Sequence, residues 1–174
     1  MSTLDQQNTT NNGSSAINST SAARYRATGF TVSHDGAVSQ VDVYLKRNGT
    51  GGGDYTCKIY SDNGSGKLNT AISDGFTIDS SGVGTDLGWV TCTFSTQPNL
   101  TSGQKAHIVI YRTTDDGNSL SWGYSTGAAY AGDDLSTSSD GVNWTISTGY
   151  DGNFKEYYEL ATALRGNLLL LGVS

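Results

Sequence analysis

Chemistry in this chain would have to come from few side chains. Adjacent carboxylates stand at Asp115-Asp116 and Asp133-Asp134, the histidines are His34 and His107, and the cysteines are Cys57 and Cys92. A glycosidase needs two carboxylates facing one another about 5–9.5 Å apart, one of them in an apolar pocket. Neighbouring aspartates in Gly-rich loops read instead as solvated turn residues. They offer the hard oxygens that calcium takes, but without EF-hand spacing. His34 sits in a turn signal and His107 in an alternating run between Ala106 and Ile108, and neither accompanies a nucleophile motif. Two cysteines without paired spacing make no zinc site. Each occupies an inward slot of an alternating segment, as a buried thiol would, and a disulfide between neighbouring strands stays open. The expectation is a non-enzymatic chain with no catalytic residues, no metal and no cofactor.

Aromatic residues are the better candidates for function. Trp89, Trp122, Tyr124, Tyr130 and Trp144 fall at expected strand ends or in loops. Sugar rings present C–H faces that stack on aromatic rings, while amide and carboxylate edges hydrogen-bond the hydroxyls. Residues 122–134 have this composition, so Trp122, Tyr124, Tyr130, Asp133 and Asp134 form a candidate glycan site. The alternative is that Trp122 and Trp144 plug the ends of the fold.

These residues need a scaffold, and period-two alternation supplies one. Val41, Val43 and Leu45 alternate with Asp42 and Tyr44; Tyr55, Cys57 and Ile59 with Thr56 and Lys58; Val90, Cys92 and Phe94 with Thr91 and Thr93. One apolar face at that period marks half-buried strands of antiparallel sheets. Strands are predicted over 25–32, 38–47, 54–61, around Phe76 and Ile78, and over 88–95, 105–112, 119–124 and 154–160. A hairpin of 135–139 and 142–147 is predicted across Asp140-Gly141. Residues 153–165 also fit a helix capped by Asn153 and stopped by Gly166. Many short strands with no helical period between them indicate an all-β, antiparallel jelly-roll-like sandwich over residues 24–165. Residues 1–23 are Asn, Gln, Ser and Thr with few apolar residues, and read as an arm that is disordered alone. Residues 166–174 read as an apolar tail.

Composition narrows the partners. A chain of 174 residues with net charge −6 has room for one domain, and its Lys46-Arg47 pair is no basic patch, so nucleic acid is not an expected partner. The run Leu168 to Leu171 is far short of the ~20 residues a membrane span needs. The first residues lack the basic start and apolar run of an export signal, so synthesis in a cytoplasm is expected, with exit by another route.

The segments Gly29-Phe30-Thr31-Val32, Val41-Asp42-Val43-Tyr44-Leu45-Lys46, Ile59-Tyr60-Ser61-Asp62-Asn63, Trp89-Val90-Thr91-Cys92-Thr93-Phe94, Leu100-Thr101-Ser102-Gly103, Trp122-Gly123-Tyr124 and 138–145 together resemble a family of jelly-roll domains. Such domains occur in bacterial surface proteins and in tailed-phage virion proteins. The resemblance spans about residues 25 to 160, and implies a virion structural protein, a capsid-decorating or fibre-like subunit made in the host cytoplasm. The alternative is a carbohydrate-binding or host-receptor-binding module. The implied partners are other virion proteins, further copies of the chain in a closed ring such as a trimer, and a surface glycan. Assembly would fall to Leu4 and Ile17 in the arm and to Leu168, Leu169, Leu170, Leu171 and Val173 in the tail. Residues 138–144 are also similar to an Asp-box, a structural turn whose aspartate ties backbone amides.

Overall fold

The computed structural model describes residues 1–17, 24–50, 53–114, 119–127, 130 and 134–160. Its strands are β1 (Thr3–Asn8), β2 (Gly13–Ile17), β3 (Tyr25–Thr31), β4 (Gly36–Asn48), β5 (Asp54–Asp62), β6 (Leu68–Ala71), β7 (Phe76–Asp79), β8 (Gly88–Thr93), β9 (Asn99–Leu100), β10 (Lys105–Tyr111), β11 (Ser119–Thr126), β12 (Leu135–Ser138), β13 (Thr145–Ser147), β14 (Tyr150–Gly152) and β15 (Phe154–Glu159). Sheet one follows the order β1-β15-β4-β11-β14, with β2 on β11 and β8 and β9 on β4. Sheet two follows β13-β12-β3-β10-β5-β6, with β7 on β5. Successive strands β3, β4 and β5, and later β10, β11 and β12, alternate between the sheets. The result is an antiparallel, jelly-roll-like sandwich.

The alternation read in the sequence places the core. Val41, Val43 and Leu45 of β4 face Ile59 of β5 and Ile108 and Ile110 of β10 across one buried cluster that also holds Phe30, Leu120, Trp122 and Phe154. Val38 joins the same cluster out of period, because a bulge in the β4–β15 register between Tyr157 and Tyr158 resets the alternation. Cys57 of β5 and Cys92 of β8 meet from opposite sheets as free, fully buried thiols. The hydrogen bond to Cys92, together with burial, pushes the Cys57 thiol upward.

The first residues depart from expectation. Instead of a disordered arm, β1 pairs with β15 and β2 with β11. Ile17, expected to await a partner, is completely buried in the core, whereas Leu4 is 42% exposed. Ladder hydrogen bonds and buried amides hold these strands, so their scarcity of apolar side chains is no obstacle. Asn8 Nδ2 donates to Ser125 Oγ at 2.8 Å and to the carbonyls of Asp151 and Gly152. Of the 153–165 segment, Phe154–Glu159 is strand. Residues 161–174, including Leu168, Leu169, Leu170, Leu171 and Val173, lie outside the described residues.

One buried carboxyl pair also fastens β1. Glu156 is completely buried, and neither oxygen meets a donor group of its own in the described protein. Its neighbour is Asp5, which accepts hydrogen bonds from the amide and hydroxyl of Ser33 and contacts His34 Nδ1 at 2.7 Å. Burial, then the Asp5 charge and a hydrogen bond shared with it, push Glu156 up to about 8. Burial works against Asp5 too, but the bonds from Ser33 and His34 outweigh it and hold Asp5 below its usual value. A raised carboxyl contributes stability that is complete below its ordinary value of 4.5 and lost as pH rises through about 8. Asp5 has the opposite sign: its contribution is present above 3.8 and lost as pH falls through its lowered value. The urea midpoint is therefore expected to fall between pH 4.5 and pH 8, and to flatten over that range in Glu156→Gln, which is permanently neutral. An undiminished slope in the variant would assign the effect elsewhere.

Candidate functional site

The outer face of sheet two is itself screened from solvent. In β10 the core takes Ala106, Ile108 and Ile110, so His107 and Val109 point outward; yet they are only 2% and 0% exposed. Ala27, paired with Val109, is fully buried as well. Aromatic rings stand over this floor. Tyr25 and Tyr111 stack at 4.7 Å with 13° between planes, and Trp144 meets Tyr25 edge-on at 6.2 Å. Tyr60 lies beside His107 in the ladder. Burial, then the neighbouring Tyr111 and Tyr25 hydroxyls, push Tyr60 upward, so it remains a protonated donor at neutral pH.

Two turns wall the face from opposite edges. The first joins β5 to β6. There Asp62 Oδ1 accepts from Gly64 N at 2.6 Å and Gly66 N at 3.2 Å, while Oδ2 contacts His107 Nε2 at 2.9 Å. Burial opposes its charge, but His107 and the two glycine amides outweigh burial and lower the Asp62 pKa. The second wall lies between β12 and β13. Asp140 Oδ1 accepts from Val142 N and Asn143 N, both at 2.8 Å, and Oδ2 from Asn143 Nδ2. The backbone amide of Asn143, then that of Val142, hold Asp140 far below the usual carboxylate range. The predicted strand over 142–147 begins only at Thr145, because these amides are committed to the turn rather than to a ladder. Gly141 has φ +77°, and a Cβ there would sit 3.0 Å from the Tyr25 ring.

Between the walls lies a cavity of about 380 Å³ lined by Asn63, Lys67, Leu68, Ser136, Asn143, Trp144 and Ile146. Its contributors come from the β5–β6 turn and β6 on one side and from the β12–β13 hairpin on the other, elements at the two ends of the sheet-two order. The Asn63 Oδ1 atom is occupied by Ser65 N and Lys67 N, which leaves its Nδ2 to donate outward. Asn143 is the reverse, with Nδ2 held by Asp140 and Oδ1 left as acceptor. Val142 and Ile146 add exposed aliphatic rim, 77% and 45% accessible. One indole ring, amides of both polarities and a lysine thus line one concavity. Among the described residues no group of three or more His, Cys, Asp or Glu side chains could hold a metal.

The glycan residues read from sequence go elsewhere. Trp122 is 0% exposed, and its Nε1 donates to Asn153 O at 2.8 Å; a core side chain cannot stack on a sugar, so this assignment is corrected. Tyr130 is held by its fold contacts, packing on Phe154 at 5.2 Å with its hydroxyl meeting Thr31 N and Gln6. Asp134 Oδ1 caps Gly149 N at 2.6 Å as a turn residue. Tyr124 lines a second, separate pocket. Asp133 lies outside the described residues, as do Asp115 and Asp116. Trp144, read in the sequence as a plug, is the aromatic the cleft uses. Its signal was the turn motif before it, which throws the ring onto the hairpin's outer side.

No protein-family model matches this chain, and no curated protein matches it. Among solved structures, it is similar to a carbohydrate-binding module, CBM36, in complex with calcium and xylotriose, at 12% identity and a TM-score of 0.39. That similarity covers 90% of this chain and 98% of the other, at a level where neither ligand nor role transfers. No helix among the described residues is long and apolar enough to cross a membrane.

The first wall can be tested by itself. Asp62→Ala removes the acceptor shared by Gly64, Gly66 and His107, so exchange of the Gly64 and Gly66 amides is expected to accelerate by about tenfold or more. Unchanged protection would mean that the turn is held by other contacts.

Proposed function

We propose that this chain is a non-catalytic carbohydrate-binding module that takes an oligosaccharide in the cleft on the outer face of sheet two. The observation that carries this reading is the walled cavity itself, where Trp144, braced edge-on by Tyr25, lines the same concavity as the free polar ends of Asn63 and Asn143. An apolar ligand would waste those amides, and a nucleic acid would need a basic stripe that a chain of net charge −6 lacks. A sugar uses both features at once: its C–H face covers the indole ring and its hydroxyls pair with the amides. Catalysis has no support at the cleft, since its carboxylates, Asp62 and Asp140, are engaged by turn amides. The virion role implied by the resemblance finds no support among the described residues. Its tail residues fall outside them, and Ile17 is core.

A glycan array followed by calorimetry on the best hit tests the reading. Binding is expected, and Trp144→Ala should weaken it about tenfold, the equivalent of roughly 1.4 kcal/mol of lost ring contact, with the circular dichroism spectrum unchanged. Failure to bind any glycan, or binding indifferent to Trp144 and to Asn143→Ala, would refute it.

A further inference from the structure

A second pocket, of about 450 Å³, opens at the seam between the two sheets, on the far side of the β12–β13 hairpin from the cleft. Sheet one contributes Ser15, Tyr124 and Tyr150, and sheet two contributes Arg26, Thr137 and Ser147. Arg26 is half-buried. Its Nε donates to Ala16 O at 3.0 Å, which holds the guanidinium plane at the pocket that Arg26 lines. It forms no ion pair among the described residues, and no lining residue is acidic. Burial lowers its titration, and no carboxylate among the described residues offsets the cost of taking this charge from water. A guanidinium that is oriented, partly desolvated and unneutralised is a receptor for an anion.

The rest of the lining specifies what carries the anion. Tyr124 and Tyr150 meet edge-to-face at 5.2 Å, and Tyr150 is 41% exposed, so one ring braces the other while presenting a surface. The hydroxyls of Ser15, Thr137 and Ser147 can give or accept hydrogen bonds. We infer that this seam pocket binds a carboxylate-bearing sugar, a uronic acid residue, with the carboxylate on the Arg26 fork and the pyranose ring against Tyr150. The pocket is independent of the Trp144 cleft.

Calorimetry of the full chain with galacturonate and glucuronate, against galactose, glucose and sodium sulfate, tests this. The uronates are expected to bind at least about tenfold more tightly than the neutral sugars, because the carboxylate adds a charge-assisted pair to the guanidinium. Binding should weaken about tenfold in Arg26→Gln and severalfold in Tyr150→Ala, and stay unchanged in Trp144→Ala. Should Arg26→Gln misfold, Arg26→Lys keeps the charge but loses the fork, and should also weaken binding. Neutral sugars equal to uronates, or uronate binding indifferent to Arg26 and Tyr150, would overturn the inference. Sulfate as tight as the uronates would also overturn it, in favour of an inorganic oxyanion site.

Discussion

Everything in sheet one converges on a buried amide junction at Asn153, where β14 ends and β15 begins. The Asn153 carbonyl accepts from Trp122 Nε1 at 2.8 Å and from Tyr44 N at 3.3 Å, and its amide donates to Gly123 O at 2.8 Å. Its side chain reaches the carbonyls of Asn8 and Thr10. One residue thereby links β4, β11, β15 and the segment that follows β1. Because it is completely buried, losing any of these partners would strand a polar group without water. The junction lets a chain with so polar a beginning close its sandwich. The first strands are specified by hydrogen bonds rather than by burial of apolar side chains.

That closure is what shapes the concavities. With β2 placed on β11, Ser15 and Ala16 come level with Arg26 at the seam, and the Ala16 carbonyl fixes the arginine. Across the molecule, His107 is buried on the wrong side of its sheet for a core residue, and its bond to Asp62 turns that burial into an anchor for the first wall. Ala27 and Val109, paired across β3 and β10, are fully buried on the face that carries the aromatic rings. The cleft and the seam pocket thus flank the same short hairpin, β12–β13, whose turn is fixed by Asp140.

Much of this scaffold was legible in the residues, and the reasons it was not all legible are specific. Alternation located β3, β4, β5, β8, β10, β11 and β15 because each buries one apolar face at period two. It could not find β1 or β2, whose side chains are mainly polar, nor β6, β9 and β14, which are too short to show a period. Trp122 was misplaced because it stood near the end of the strand predicted over 119–124, whereas Leu120 and Trp122 share the inward face of a strand that runs on to Thr126. The cleft joins residues 63–68 to residues 136–146, and a partnership between opposite sheet edges leaves no local pattern. Arg26 was equally silent: an arginine between Tyr25 and Ala27 reads as an ordinary strand residue until the sheets are brought together.

Net charge is a poor guide to the charge at any one pocket, for a reason that follows from how the turns are built. Asp5, Asp35, Asp62, Asp74, Asp79, Asp134 and Asp140 each accept at least one backbone N–H in a turn or loop. An aspartate in that role spends its charge on amide dipoles and on holding a short loop in shape. The acidity of the chain is therefore largely a property of its turn chemistry. Arg26 lines the seam pocket without a carboxylate partner among the described residues, so the charge that lines it has the opposite sign to the total. At separations beyond the ~8–10 Å screening length of physiological salt, the distant aspartates contribute little at that pocket. A ligand is selected by the few charges within reach of it, and an acidic protein can for that reason hold an acidic sugar.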